Sequence, residues 1–105
     1  MSILKIFAVT ADKVTKWTTD RNVDKLVGAL VDKDPVIRRM AAEGMAQIRS
    51  REVLDYCRAN AQSADQNVRW GITQILGLIG STEAMSILST VRDPMATKSK
   101  SNKNV

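Results

Sequence analysis

Residues 34–48 read DPVIRRMAAEGMAQI, and residues 65–79 read DQNVRWGITQILGLI. Each segment begins with an aspartate, continues with an aliphatic–arginine pair, and ends on an isoleucine. The offset between the two segments is 31 residues. Such self-similarity is typical of repeat proteins, in which each unit buries its apolar face only by stacking on a neighbour. The sequence therefore predicts a repeat architecture.

Both copies have the spacing of an amphipathic helix, with apolar residues three or four positions apart. These residues are Ile37, Met40, Ala41, Met45 and Ile48 in the first copy, and Val68, Ile72, Ile75, Leu76 and Ile79 in the second. Asp34, which precedes Pro35, and Asp65 are residues that favour the start of a helix. Gly80 favours its end.

A shorter apolar pattern follows each copy and predicts the second helix of a hairpin. It comprises Val53, Leu54 and Cys57 after the first copy, and Met85, Leu88 and Val91 after the second. Projected back by one period, the pattern also predicts a degenerate first hairpin, through Ile6, Val14, Trp17, Val23 and Leu26. The prediction is an all-α fold, a short right-handed α-solenoid of about three helical hairpins. Its repeats span about 3–32, 34–62 and 65–92, with helices at 3–18, 22–31, 35–49, 51–61, 66–80 and 82–92.

The runs VDKLVGALVDKDPVIRRMAAEGMAQI and DQNVRWGITQILGLIGSTEAMSIL resemble HEAT-like repeats of the phycobilisome-lyase type. The resemblance covers residues 22–91 well and residues 3–21 only loosely. Phe7 stands where the later copies have Arg38 and Arg69. The resemblance implies stacked hairpins with a grooved surface. It also implies that Arg38 and Arg69 form a ladder of contacts between neighbouring turns of the solenoid. The alternative is that these arginines, with Asp34 and Asp65, form a row that binds anions.

The residue types exclude most enzyme chemistry. Histidine is absent and Cys57 is the only cysteine, which removes disulfides, Cys/His zinc sites and His-based catalysis. In register with Leu26 and Leu88, Cys57 is expected to be buried. We therefore predict no catalysis, no metal and no cofactor. The reduced cysteine and the lack of a signal sequence or a membrane-spanning run predict a cytoplasmic protein.

The net charge of +5 is concentrated at one end of the sequence. Lys98, Lys100 and Lys103 contribute three of these charges, which leaves +2 for residues 1–97. We predict a repeat domain over residues 1–93 and a disordered basic tail over residues 94–105, because the tail has almost no apolar residues to bury. Nucleic acid is accordingly disfavoured as a partner.

Seven residues are candidates for partner binding, because the helical pattern places each of them on the surface: Lys25, Asp55, Tyr56, Arg58, Gln62, Trp70 and Ile87. Tyr56 and Arg58 are of the types most often found as interface anchors. Trp70 aligns with Arg39, opposite the main apolar stripe. Ile87 occupies the phase of Lys25 and Tyr56, so we expect weak self-association or partner capture there, unless Ile87 packs on its own hairpin.

These features predict a non-catalytic protein–protein interaction module or adaptor, which binds a partner along the concave face formed by the second helices. One alternative is a binder of the nucleic-acid backbone, as among DNA glycosylases built from HEAT-like repeats, although Asp24, Glu52 and Asp55 weaken such a groove. The other is an accessory subunit for bilin attachment, which the resemblance implies.

Overall fold

The computed structural model describes residues 8–93, which form six α-helices in three consecutive hairpins. The helices are α1 (Ala11–Thr19), α2 (Val23–Ala29), α3 (Pro35–Ile48), α4 (Arg51–Ala59), α5 (Gln66–Ile79) and α6 (Thr82–Leu88). Each second helix packs against the first helix of its hairpin, and α3 also packs against both α1 and α5. The described residues contain no strand. The predicted all-α solenoid of stacked hairpins is confirmed.

The helix starts repeat with the period of the sequence. Asp34 and Asp65 each accept a hydrogen bond of 2.9 Å from the backbone N–H two residues later. Ser50 and Ser81 accept one from the N–H three residues later, at 3.3 and 3.1 Å. Each side chain satisfies a backbone donor that has no partner within the helix. The predicted starts of α3, α4, α5 and α6 are therefore confirmed.

Equivalent positions of the three hairpins meet in one core. Val14, Met45 and Leu76 lie one period apart and are each at most 1% exposed. Leu26 and Cys57, on the second helices, are completely buried. This core exists only because the hairpins stack, as expected for a repeat whose units cannot bury their apolar faces alone.

Arg38 and Arg69 hold the loops that join the hairpins. Arg38 Nη1 donates to the carbonyl oxygen of Asp32, and Arg69 Nη1 donates to that of Ser63, both at 2.7 Å. Arg69 Nε also donates to the carbonyl oxygen of Asp93 at 3.1 Å, and the Arg69 side chain is almost fully buried. Arg69 thus joins two neighbouring loops, as the resemblance implied, whereas the hydrogen bonds of Arg38 stay within one loop, at Asp32 and Lys33.

The start of α1 was wrongly predicted. The helix begins at Ala11 rather than at residue 3, because Thr10 is extended and its Oγ1 accepts a hydrogen bond from the backbone N–H of Lys13. Ala8 and Val9 precede this cap and are not helical. The earlier part of the predicted helix, including Ile6, lies outside the described residues, as does the predicted tail at 94–105.

The end of α6 was also wrongly predicted. The helix ends at Leu88 rather than at residue 92. The side chains of Ser89 and Thr90 donate to carbonyl oxygens of the preceding turn, and the backbone N–H of Arg92 then donates to the carbonyl oxygen of Ala61 at 2.9 Å. The chain therefore leaves the helix axis to cross back to the end of α4.

Candidate functional site

A cluster of charged side chains joins α4 to α6. Arg51 meets Glu83 at two points, with Nη1–Oε2 at 2.5 Å and Nη2–Oε1 at 3.0 Å. Arg58 Nη2 donates to the same Oε2 at 2.8 Å. Asp55 Oδ1 lies 3.3 Å from Arg58 Nη1 and 3.9 Å from Arg51 Nη1. We call these four residues the α4–α6 charge cluster.

The cluster compensates its own charges. Hydrogen bonds from Arg51 and then Arg58 lower the pKa of the Glu83 carboxyl to about 2, and the hydrogen bond to Glu83 raises the pKa of Arg51. Two positive and two negative groups are thus paired across neighbouring hairpins. Because these groups already have partners within the chain, the cluster serves to join the hairpins.

Gln62 and Tyr56 belong to the same hairpin as Arg51, Asp55 and Arg58. Gln62 Nε2 donates to the carbonyl oxygen of Thr90 at 2.6 Å, which adds a second link between the last two hairpins. Tyr56 is half-buried against the core. Burial, with smaller contributions from Cys57 and Asp65, raises the pKa of Tyr56 to about 12. Much of the Tyr56 ring is therefore part of the fold.

Lys25 lies apart from the other candidates, on the first hairpin. Its side chain is exposed, and its Nζ stands 6.0 Å from the centroid of the Trp17 ring. That separation is at the limit of a cation–π contact. Trp17 itself is half-buried at the edge of the core, although the sequence placed it in the interior. Lys25 and Trp17 thus form a local pair that does not extend to the α4–α6 charge cluster.

The prediction that Ile87 is uncovered is wrong, because Ile87 is only 4% exposed. Helix α6 directs Ala84 and Ile87 into the core and leaves Met85 46% exposed. Of the predicted inner pattern, Leu88 and Val91 are half-buried against the core, and Met85 is the member that is exposed. Ile87 is part of the buried core and offers almost no surface to a partner.

Trp70 lies in a groove between the first turns of α3 and α5. The groove has a volume of about 430 Å³, and six residues line it: Pro35, Arg38, Arg39, Gln66, Asn67 and Trp70. Trp70 is 42% exposed, and Arg39, one period earlier, is exposed beside it. We call this feature the Trp70 groove. It combines a large aromatic surface with a guanidinium group, the two side-chain types most enriched at binding hot spots.

The remaining reactive group is shielded. Cys57 is fully buried, and burial raises the pKa of its thiol to about 12. A thiol in such surroundings is a poor nucleophile, because the thiolate is the reactive form. Within residues 8–93, no three Asp, Glu, Cys or His side chains come together in a group that could hold a metal ion.

Asp55, Arg58 and Gln62 were predicted together as polar surface residues of the second hairpin, but their intramolecular partners were not predicted. Glu83 was not singled out, because its only local signal is an acidic residue in the first turn of α6, which is common at helix starts. The pairing of Glu83 with Arg51 spans two hairpins. It follows from how the repeats stack, which the residue pattern within one repeat does not reveal.

The comparisons with known proteins agree with this architecture. A protein-family model described as HEAT repeats matches residues 23–96 of the chain. That match begins in α2 and includes both copies of the 31-residue pattern. It does not distinguish the phycobilisome-lyase type, so that narrower resemblance stays a prediction. No curated protein and no solved structure gives a significant match.

Proposed function

Because the chain belongs to the HEAT-repeat family, whose stacked hairpins generally serve as protein-interaction scaffolds, we propose that it is a non-catalytic module that binds a partner protein at the Trp70 groove. Trp70 is the proposed anchor. Arg39 is the proposed polar contact next to it. The partner would offer an apolar side chain to the indole and a carboxylate or carbonyl oxygen to the guanidinium.

The observation that carries this proposal is the exposure of Trp70. Large aromatic side chains are usually well buried, because their apolar surface is costly to leave in water. In this chain 42% of Trp70 remains uncovered beside an exposed arginine. Covering such a tryptophan is a common source of binding energy at interfaces. Of the seven candidates, Trp70 presents the largest aromatic surface to solvent.

The sequence predicts that the partner binds along the second helices. In the present proposal this face makes only a secondary contact. Asp55 and Arg58 already belong to the α4–α6 charge cluster, and Gln62 is bonded to the last hairpin. A partner on that face would meet charges that are compensated within the chain. Lys25 and the exposed part of Tyr56 are the remaining groups there.

Two features support a non-catalytic role. The sequence has no histidine, and its only thiol is buried with a raised pKa. Neither of the usual nucleophile–base arrangements can therefore be built from His or Cys. The lone free cysteine also supports a reducing, cytoplasmic location as part of the same proposal. None of the helices within residues 8–93 is long and apolar enough to span a membrane.

The charge distribution favours a protein partner over nucleic acid. Four basic residues, Lys5, Lys98, Lys100 and Lys103, lie outside residues 8–93, and no acidic residue does. Subtracting these four charges from +5 leaves a net charge of +1 on the described residues. Binding to a phosphate backbone normally depends on a concentrated basic surface. A salt-dependent gel shift with duplex and single-stranded DNA should therefore show no retardation at physiological salt.

Affinity capture with three forms of the chain tests the proposed anchor. The forms are the unchanged chain, Trp70→Ala, and Leu78→Ala as the matched control. Leu78 is 57% exposed on the same helix but lies outside the Trp70 groove. We expect a protein that the unchanged chain and Leu78→Ala both retain and that Trp70→Ala loses. Equal retention by all three forms would contradict the assignment of the groove.

A further inference from the structure

A second groove lies between α1 and α2, around the Lys25–Trp17 pair and away from the Trp70 groove and the α4–α6 charge cluster. Its lining includes Val9, Lys13, Trp17, Lys25 and Gly28, and its volume is about 450 Å³. Val9 and Trp17 are only half-buried. A Cβ atom built at Gly28 would meet nothing within 4 Å. We call this feature the α1–α2 groove. Its walls combine the apolar Val9, Trp17 and Ala29 with the charged Lys13, Asp24 and Lys25, and no other part of residues 8–93 fills it.

The repeat shows what this groove lacks. One period later, the positions of Val9, Lys13 and Trp17 are occupied by Met40, Gly44 and Ile48. In the second hairpin this stripe faces the preceding hairpin, where a Cβ atom at Gly44 would overlap Thr18. Ile48 is accordingly 5% exposed, whereas its equivalent Trp17 is half-buried. The α1–α2 groove is therefore the surface on which a preceding hairpin would pack.

The segment that directly precedes the described residues has the composition to fill this groove. Residues 1–7 read MSILKIF and include Ile3, Leu4, Ile6 and Phe7. The chain enters beside the groove, because Lys13 Nζ donates to the carbonyl oxygen of Ala8 at 2.9 Å and Lys13 lines the groove. Seven extended residues reach at most about 25 Å, which is ample for a hairpin of this size.

We propose that residues 1–7 of the same chain lie in the α1–α2 groove and cover it as a preceding hairpin would. Apolar side chains of this segment pack on Val9 and Trp17 and over the open surface at Gly28. Such a cover removes apolar area from water and keeps the α1–α2 groove from associating with other copies. The contact is separate from the Trp70 groove and does not depend on the proposed function.

Disulfide trapping tests this contact in the full chain. Gly28→Cys is combined in turn with Ile3→Cys, Leu4→Cys and Ile6→Cys, and mild oxidation is followed on non-reducing gels. A disulfide needs Cα atoms about 4.4–6.8 Å apart, so only a segment held at the groove links efficiently. Thr15→Cys replaces Gly28→Cys in the control, because Thr15 is exposed on α1 but does not line the groove. The buried Cys57 stays out of the exchange.

We expect at least one position of the segment to link within a monomer to Cys at position 28 and much less to Cys at position 15. Equal linking to both positions, or no linking to position 28, would overturn the proposal. Linked dimers in place of linked monomers would also overturn it, since a second copy would then occupy the groove.

Tryptophan fluorescence provides an independent readout that does not require new cysteines. In a Trp70→Phe background, Trp17 is the only tryptophan. Removal of residues 2–7 should shift Trp17 emission to the red and increase its quenching by acrylamide, while far-UV circular dichroism shows that the helices persist. If the shortened chain is folded but its Trp17 emission maximum and its quenching by acrylamide are both unchanged, the segment does not cover Trp17 and the proposal fails.

Discussion

Gly44→Ala is expected to destabilise the fold, although alanine is the better helix former. Gly44 lies inside α3 at its contact with α1, where a new Cβ atom would lie 3.4 Å from Thr18 Cβ and would overlap Thr18 Oγ1. Thr18 Oγ1 donates to the carbonyl oxygen of Val14 at 2.9 Å, so its rotation breaks that bond. Overpacking costs about 1–3 kcal/mol, and a hydrogen bond about 1 kcal/mol. Alanine regains about 1 kcal/mol in helix propensity. We expect a net loss of about 1–3 kcal/mol in the free energy of unfolding.

Urea unfolding followed by circular dichroism measures this loss, and two further variants isolate its cause. In a Thr18→Ala background the overlapping hydroxyl is gone, so Gly44→Ala should cost little or become stabilising. Gly77→Ala is the matched control, because Gly77 is an exposed glycine inside α5 with open space around it. It should gain up to about 1 kcal/mol. If Gly44→Ala stabilises the chain as much as Gly77→Ala, the close contact between α1 and α3 is refuted.

Three other substitutions test the core, the loop contacts and the charge cluster. Leu76→Ala should lower the free energy of unfolding by about 2–4 kcal/mol, because Leu76 is completely buried and its removal opens a cavity; a loss below about 1 kcal/mol would remove Leu76 from the core. Arg69→Ala should cost about 2–4 kcal/mol, since it removes a fully buried side chain together with its partly buried hydrogen bonds to two loops. A cost no larger than that of Arg38→Ala, whose bonds stay within one loop, would contradict the bridging role of Arg69. Glu83→Gln should lower the melting temperature at neutral pH. The effect should shrink as pH falls from 4.5 towards 2 and disappear below about pH 2, because the pKa of Glu83 is lowered from 4.5 to about 2 in the folded chain. Glu52→Gln, on the neighbouring helix α4, is the control, and a pH-independent effect of Glu83→Gln would exclude the ion pair as its cause.

The 31-residue period of the sequence predicted more of the structure than the apolar pattern alone. The reason is that the residues that start and end each helix also repeat with this period, and they act on backbone groups close to them in sequence. A capping side chain needs only a donor two or three residues away, which explains why the Asp34, Asp65, Ser50 and Ser81 caps all recur one period apart. The helix ends recur as well. Arg49 and Gly80 occupy equivalent positions and both have left-handed backbones, with φ values of 38° and 67°.

Features that depend on neighbouring hairpins were harder to predict. In the middle hairpin, Leu54 is buried because another hairpin stacks on it, whereas its equivalent Met85 is exposed at the end of the described stack. The apolar pattern is the same at both positions, so it predicted both to be buried. The small Ala84, which is buried together with Ile87, was not included in that pattern. The partners of Glu83 were missed for the same reason, since they lie on the preceding hairpin.

Site-specific photo-crosslinking tests the proposed binding surface most directly. A photoreactive phenylalanine analogue is placed at position 70 of the full chain, and at position 78 in a parallel form, within cells that normally produce the protein. Both positions are exposed on α5, but only position 70 lies in the Trp70 groove. The proposal predicts a discrete crosslinked protein from position 70 that is absent, or much weaker, from position 78. If both positions crosslink the same protein in equal yield, or if position 70 gives no crosslink, binding through this groove is contradicted.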